Sequence, residues 1–172
     1  MRGDQDVLAA QAEIAVVTRP NTVLASGPYP HFDTDGIWQF LRSGLASLQA
    51  AHGIDGISIT THGACAALLA ADGSLAAPVL DYEHTGPDGM TAGYDALRPD
   101  FALTGSPRLP MGLNLGAQLH WLFATQPGLQ DRTAHVLTYP QYWAWRLTGR
   151  AVSETSILGA QSHLWNVRNG CW

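Results

Sequence analysis

The stretch from Asp55 to Tyr82, DGISITTHGACAALLAADGSLAAPVLDY, limits the folds open to this chain more than any other. Ile57-Ser58-Ile59 predicts a core strand, and Thr60-Thr61-His62-Gly63 then replaces the apolar run with polar and small residues. Two apolar runs follow, Ala66 to Ala70 and Leu75 to Leu80, with Asp72-Gly73 between them. Asp-Gly in that position predicts a hairpin, because glycine accepts the positive φ of a tight turn. A strand ending in Thr-Thr-His-Gly carries hydrogen-bonding groups to the mouth of a sheet, where α/β proteins commonly hold small molecules.

The rest of the chain supplies helices for such a sheet. Residues 11 to 18, QAEIAVVT, predict a strand that ends before Arg19-Pro20. Ile37, Trp38, Leu41, Leu45 and Leu48 recur on one helical face, predicting a helix from Thr34 or Asp35 to Ala51. Asp33, Thr34 and Asp35 suit its start and Gly53 its stop. Glu83 to Pro110, rich in Gly and Pro, predicts a long irregular loop, either a surface excursion or a cover over substrate. Leu115, Leu119, Leu122 and Phe123 mark a helix closing before Pro127-Gly128, and Ala134 to Thr138 a short buried strand. Pro140 opens a further helix that stops at Gly149, and Ser153-Glu154-Thr155-Ser156 starts a last one. Alternation of this kind indicates an α/β fold with a mostly parallel sheet, in one domain of 172 residues.

Charge and cysteine usage remove several function classes. Nine Lys and Arg against 14 Asp and Glu leave a net charge of −5, which does not attract nucleic acid. No apolar run reaches the roughly 18 residues of a membrane span. The first six residues carry acidic groups and no following apolar region, so no signal peptide is expected. Cys65 and Cys171 build no disulfide framework, which points to the cytoplasm. No His-Glu-x-x-His, Gly-x-Ser-x-Gly or Gly-x-x-x-x-Gly-Lys-Ser/Thr pattern occurs, and no metal site is expected.

Three segments carry a resemblance. His62-Gly63 followed by Leu68-Leu69-Ala70-Ala71-Asp72-Gly73-Ser74-Leu75 is the first. Gln118-Leu119-His120-Trp121-Leu122, entered from Gly105 to Leu115, is the second. The aromatic-rich Tyr139 to Gly149, ending Arg-Leu-Thr-Gly and continued by Ser153-Glu154-Thr155-Ser156, is the third. In this order they resemble the N-terminal lobe of the FGGY carbohydrate kinases, in particular the rhamnulokinase-like and fuculokinase-like branch.

The resemblance implies a ribonuclease-H-like lobe of the actin and hexokinase type, with a mixed, largely parallel sheet. It implies transfer of phosphate from ATP, with Mg²⁺, to a ketose hydroxyl. The family's Asp-x-Gly-x-Thr phosphate motif is absent from Met1 to Ala10. Its catalytic Asp and most of its ATP site belong to a second, C-terminal lobe. The chain is therefore expected to be a first lobe cut at both ends, without a catalytic residue of its own and inactive alone. A non-catalytic remnant or sugar-binding module is the alternative. An exposed lobe interface could drive association into a homo-oligomer.

By the same resemblance His62 and Gly63 face the sugar, the imidazole bonding a hydroxyl and the glycine leaving room. Thr61 is a weaker candidate. Asn114 either reaches the sugar or caps its helix, and Glu83, in Asp81-Tyr82-Glu83, lies near the pocket rim. A histidine capping a strand end is the structural alternative for His62. Trp121, Trp143 and Trp145 are expected in the core, Arg146 at helix-end carbonyls, and Cys65 as an inert buried thiol.

Overall fold

A computed structural model describes residues 12–172, so residue 11 of the first expected strand lies outside the described residues. The chain divides into two compact units. One holds the described residues up to Asn21 together with Asp35–Ile57, and the other holds Thr22–Thr34 and Ser58–Trp172.

The smaller unit is built on α1, Thr34–His52, whose bounds match the periodicity. Its predicted apolar face is half-buried at Ile37, Trp38, Leu41, Leu45 and Leu48. Gly53 ends it at φ +76°, with its N–H donating to the Gln49 carbonyl at 3.0 Å. The strand expected at 11 to 18 is absent from its described part: residues 12–20 carry no regular structure, and Ile14 is 75% exposed. The strand expected at Ile57-Ser58-Ile59 is likewise coil. Both runs have strand composition, but neither pairs with a strand among the described residues. Without a ladder, an extended segment stays extended coil.

In the larger unit, β1 (Val23–Leu24) pairs antiparallel with β2 (His31–Phe32), and β3 (Ala66–Leu69) pairs antiparallel with β4 (His135–Thr138). The Asp72-Gly73 hairpin forms as expected. Gly73 sits at φ +83°, its N–H bonds the Ala70 carbonyl at 3.0 Å, and Leu75 bridges Leu69. The returning arm stitches the two ladders, since Leu80 bridges His31 on the other side. It does so through isolated bridges because Pro78 has no N–H to donate in mid-arm. The Pro78 carbonyl instead accepts the Tyr29 hydroxyl at 2.8 Å. Both ladders formed among the described residues are antiparallel, which corrects the expected largely parallel pairing for this portion of the chain.

Glu83 to Pro110 is not a structureless loop. It winds through a 3-10 turn (Gly86–Met90), α2 (Thr91–Asp95) and α3 (Phe101–Thr104). Burial holds it: Tyr94, Thr104 and Ser106 are all inside. Tyr94 lies against Gly116, where an added Cβ would stand 2.1 Å from the tyrosine oxygen. Gly116 opens α4, Leu115–Thr125, and a short α5, Leu129–Arg132, follows that the sequence pattern did not indicate.

Tyr29, Ala66, Leu68, Leu80, Leu115, Leu122 and Leu129 form the core of this unit. Each buried leucine there contributes roughly 1.5–3 kcal/mol relative to exposure. Then α6, Tyr139–Thr148, has Pro140 in its first turn and ends at Gly149 with φ +72°. The last helix, α7, Thr155–Gln161, is capped by Glu154, within the expected start Ser153-Glu154-Thr155-Ser156. The Glu154 carboxylate accepts from the Ser156 hydroxyl at 2.5 Å and from the Ser156 and Ile157 N–H groups at 2.9 and 3.1 Å, which together hold its pKa below the usual range.

Candidate functional site

His62 sits where the coil from Ser58 meets β3, under three aromatic rings. Its ring centroid lies 4.8 Å from Tyr82, 4.9 Å from Tyr139 and 5.2 Å from Phe32. The imidazole is half-buried, and its Nδ1 is fully screened from solvent with no hydrogen-bond partner. Burial lowers its pKa, against the opposing pull of the Asp81 carboxylate. The ring is therefore neutral at pH 7, one nitrogen a donor and the other an acceptor.

Gly63 follows, and the space beside it is filled. An added Cβ would stand 2.6 Å from Oε1 of Gln161, at the end of α7. The room expected here for sugar is taken by that carboxamide. Oε1 is itself buried without a partner. Gly63 and Gln161 border an open cavity of about 410 Å³ with Ser156, Ile157 and Ala160. A larger groove of about 530 Å³ lies along α1 at Leu45, Gln49 and Ile57, but none of the candidate residues lines it.

Tyr139 stacks on His62, and its hydroxyl is a third buried polar atom without a hydrogen-bond partner. The Trp143 side chain approaches that hydroxyl and slightly opposes the burial that raises its pKa, without reaching hydrogen-bond geometry. The hydroxyl stays protonated and available. An unmet buried polar group costs about 1–3 kcal/mol, so the unmet atoms of His62, of Tyr139 stacked on it and of Gln161 over the adjacent Gly63 mark places for water or a polar ligand.

The remaining expected residues are placed less evenly. Thr61 is half-buried, and its hydroxyl donates to the His62 carbonyl at 2.9 Å, fixing the approach to the imidazole. Glu83 is exposed, tied to the group only through its N–H, which donates to Asp81 Oδ1 at 3.2 Å. Asn114 belongs to the interior. It is 0% exposed; Oδ1 accepts from Gly116 and Ala117, and Nδ2 donates to Ser106 Oγ and the Pro107 carbonyl. Those bonds fill its capacity, so it caps α4 and is not free to reach a sugar.

Gln161 and the Tyr139 hydroxyl were missed by reasoning from sequence. Gln161 lies nearly a hundred residues from Gly63 and shows no local signal. Tyr139 is recognisable only as the first residue of an aromatic helix. Of the tryptophans, Trp143 is buried, Trp121 packs on Tyr29 at 5.6 Å, and Trp145 covers the Gly73 turn. Arg146 donates to the Tyr142 hydroxyl at 2.8 Å, one turn back in α6. Cys65 is fully buried, and burial pushes its thiol well up.

The described residues do not fit ATP or Mg²⁺. At the start of α4 the Gly116 and Ala117 N–H groups are taken by the Asn114 side chain and the Ser162 carbonyl, so they are not free to cradle a phosphate. Among the described residues no three His, Cys, Asp or Glu side chains converge as a metal site requires.

A carbohydrate kinase from Novosphingobium aromaticivorans superposes with a TM-score of 0.81 at 42% identity, over 90% of this chain and 32% of that one. A ligand-bound xylulose kinase from Lactobacillus acidophilus matches with a TM-score of 0.76 at 16% identity, over 92% of this chain and 33% of its own. The fold is that of the carbohydrate kinases. It is the actin and hexokinase type of α/β fold, present here in part. In sequence, the rhamnulokinase of Yersinia pestis (strain Pestoides F) is 30% identical over 148 residues, 82% of this chain and 29% of the relative. The chain thus spans about a third or less of the proteins it matches. No family model matches it. Among the described residues no helix is long and apolar enough to cross a membrane.

Proposed function

We propose that this chain is the sugar-facing part of a cytoplasmic, ATP-dependent FGGY-type kinase that phosphorylates a ketose. Thr61, His62 and Gly63 form the wall toward the sugar, and Glu83 lies at the rim. The observation that carries the reading is the buried, unpartnered Nδ1 of His62. It sits under Phe32, Tyr82 and Tyr139 in a chain whose solved neighbours are sugar kinases. A neutral imidazole there exchanges one hydrogen bond with a sugar hydroxyl, and the ring faces around it suit the apolar side of a carbohydrate. ATP and Mg²⁺ would be held by other parts of the longer enzyme; together they supply the transferred phosphate and neutralise its charge. This chain's share is to hold and orient the acceptor and to exclude water from one side.

The second reading is a sugar-binding module without chemistry. It draws on the engaged Gly116 and Ala117 N–H groups at the start of α4 and the missing convergence of acidic groups among the described residues.

Calorimetric titration of the 172-residue protein with D-xylulose and with L-rhamnulose tests the shared claim of sugar binding. Saturable binding of one ketose is expected. His62→Phe, which keeps the aromatic packing and deletes both ring nitrogens, should weaken it about 3- to 10-fold, the worth of one net hydrogen bond. Failure of both sugars to bind would overturn the proposal, and unchanged affinity in His62→Phe would remove His62 from the sugar wall.

A further inference from the structure

We infer that Gln161 determines which ketose this site accepts, its Oε1 taking a hydrogen bond from one sugar hydroxyl. The inference rests on the sugar-binding reading above and adds to it a residue from the far end of the chain. Four observations meet at Gln161. Its carboxamide end lies over Gly63, in the space where any other residue at 63 would place its Cβ. Oε1 is buried and has no hydrogen-bond partner in the protein. The same side chain borders the cavity of about 410 Å³ that reaches Gly63. Gly63 is joined directly to His62, whose Nδ1 is also buried and unpartnered.

The geometry gives Gly63 a different role from the one its sequence suggests. A glycine at 63 does not leave space for the sugar itself. It lets the α7 terminus bring an acceptor up to the backbone beside His62. The two unmet groups complement one another. Neutral imidazole can donate or accept, whereas a carboxamide oxygen only accepts. A ligand that satisfies Oε1 must present an O–H or N–H there, and a polyol presents hydroxyls. The other residues bordering the cavity with Gln161 offer it Ser156 as a hydroxyl and otherwise Gly63, Ile157 and Ala160. The Ser156 hydroxyl already donates to the Glu154 carboxylate at 2.5 Å, so the unmet acceptor on Gln161 is the group there left to distinguish a hydroxyl from a hydrogen. A site built to bond a hydroxyl rejects the analogue lacking it, because its own polar group is then left unpaired.

The test is a comparison of sugars and variants on the 172-residue protein, by calorimetry. The probes are D-xylulose, or L-rhamnulose if that is the sugar bound, and the set of its mono-deoxy analogues. Wild type should bind one analogue about 5- to 10-fold more weakly than the parent through loss of the hydroxyl that meets Gln161. Gln161→Leu should weaken the parent by the same factor and leave that one analogue unchanged, so the discrimination disappears at a single position. Gly63→Ala provides a second route, since its methyl displaces Oε1 from over the backbone. It should reproduce the loss of discrimination without touching Gln161, and it carries the test if Gln161→Leu fails to fold. Wild-type binding with identical analogue ratios in the variant that folds would overturn the role of Gln161 while leaving the sugar-binding reading intact. No binding of either ketose by wild type would overturn both.

Discussion

His163 shows how a single residue in this chain is held by chemistry that its neighbours in sequence do not reveal. Its Nε2 lies 2.8 Å from the Ser106 carbonyl, which can only accept, so Nε2 carries the proton. Nδ1 therefore accepts, at 2.8 Å, from the Tyr94 hydroxyl, whose pKa burial pushes up to about 12. A second proton on the ring would set N–H against O–H. Burial lowers the His163 pKa, with Arg98 and Arg108 acting the same way and the Ser106 carbonyl and Asp95 opposing. The unfolded chain, with an ordinary imidazole pKa of about 6.5, takes up that proton at higher pH than the folded one. Stability is thus complete above the unfolded value and declines as pH falls toward the folded one. Thermal melts from pH 8 to 5 should show Tm dropping below about pH 6.5. His163→Gln should flatten part of that slope, leaving the remainder to His62, whose pKa burial also lowers. An unchanged slope in His163→Gln would exclude His163 as a contributor. Nothing in Ser162-His163-Leu164 announces any of this, because its partners are 57 and 69 residues away. His62 was legible for the opposite reason: four consecutive polar and small residues interrupt an apolar run, and that break is local.

At the scale of elements, the longer helices and the β3 and β4 segments were legible, while the short helices α2, α3 and α5 and the strand pairings were not. Helix signals are short-range: the face of α1, the Gly53 and Gly149 stops and Pro140 in the first turn of α6 all act within a few residues. The Asp72-Gly73 turn is local in the same way. A strand needs a partner, so Ile57-Ser58-Ile59 and residues 12 to 18 have the composition without the structure. Asn114 lies between these cases. Its capping role is readable from its position before Leu115, but its burial depends on Ser106 and Tyr94, brought there by turns that appeared irregular. The same contacts give it unusual weight. Asn114→Ala removes the cap from Gly116 and Ala117 and leaves Ser106 Oγ short of a donor, for a loss of about 2–3 kcal/mol. Urea unfolding should show that loss, with Asn114→Asp, which keeps the acceptor alone, falling between it and wild type. A change below about 0.5 kcal/mol, the ordinary range of a surface substitution, would show that the network does not depend on this side chain.

For the molecule as a whole, the polar groups left unmet beside His62 contrast with the N–H groups already used where α4 begins. Unmet buried polar atoms lie at His62, Tyr139 and Gln161, with others at Arg108 Nε and Gln118 Oε1. The Gly116 and Ala117 N–H groups at the start of α4, the kind of feature that holds a phosphate, are taken by Asn114 and Ser162. Hydroxyls of a ligand would find unmet groups at His62, Tyr139 and Gln161, whereas the Gly116 and Ala117 N–H groups are already engaged. The 172-residue protein should consequently bind ketose without phosphorylating it. Incubated with ATP, Mg²⁺ and D-xylulose or L-rhamnulose, it should release ADP no faster than its own sugar-free control. An intact sugar kinase assayed in parallel would confirm the detection. Sugar-dependent ADP release from the pure chain would place phosphate-handling groups within it and overturn the assignment of that task to the rest of a longer enzyme. Ketose binding with no ADP is the outcome expected on the proposed reading, because holding an acceptor hydroxyl and activating a phosphate depend on separate sets of hydrogen bonds.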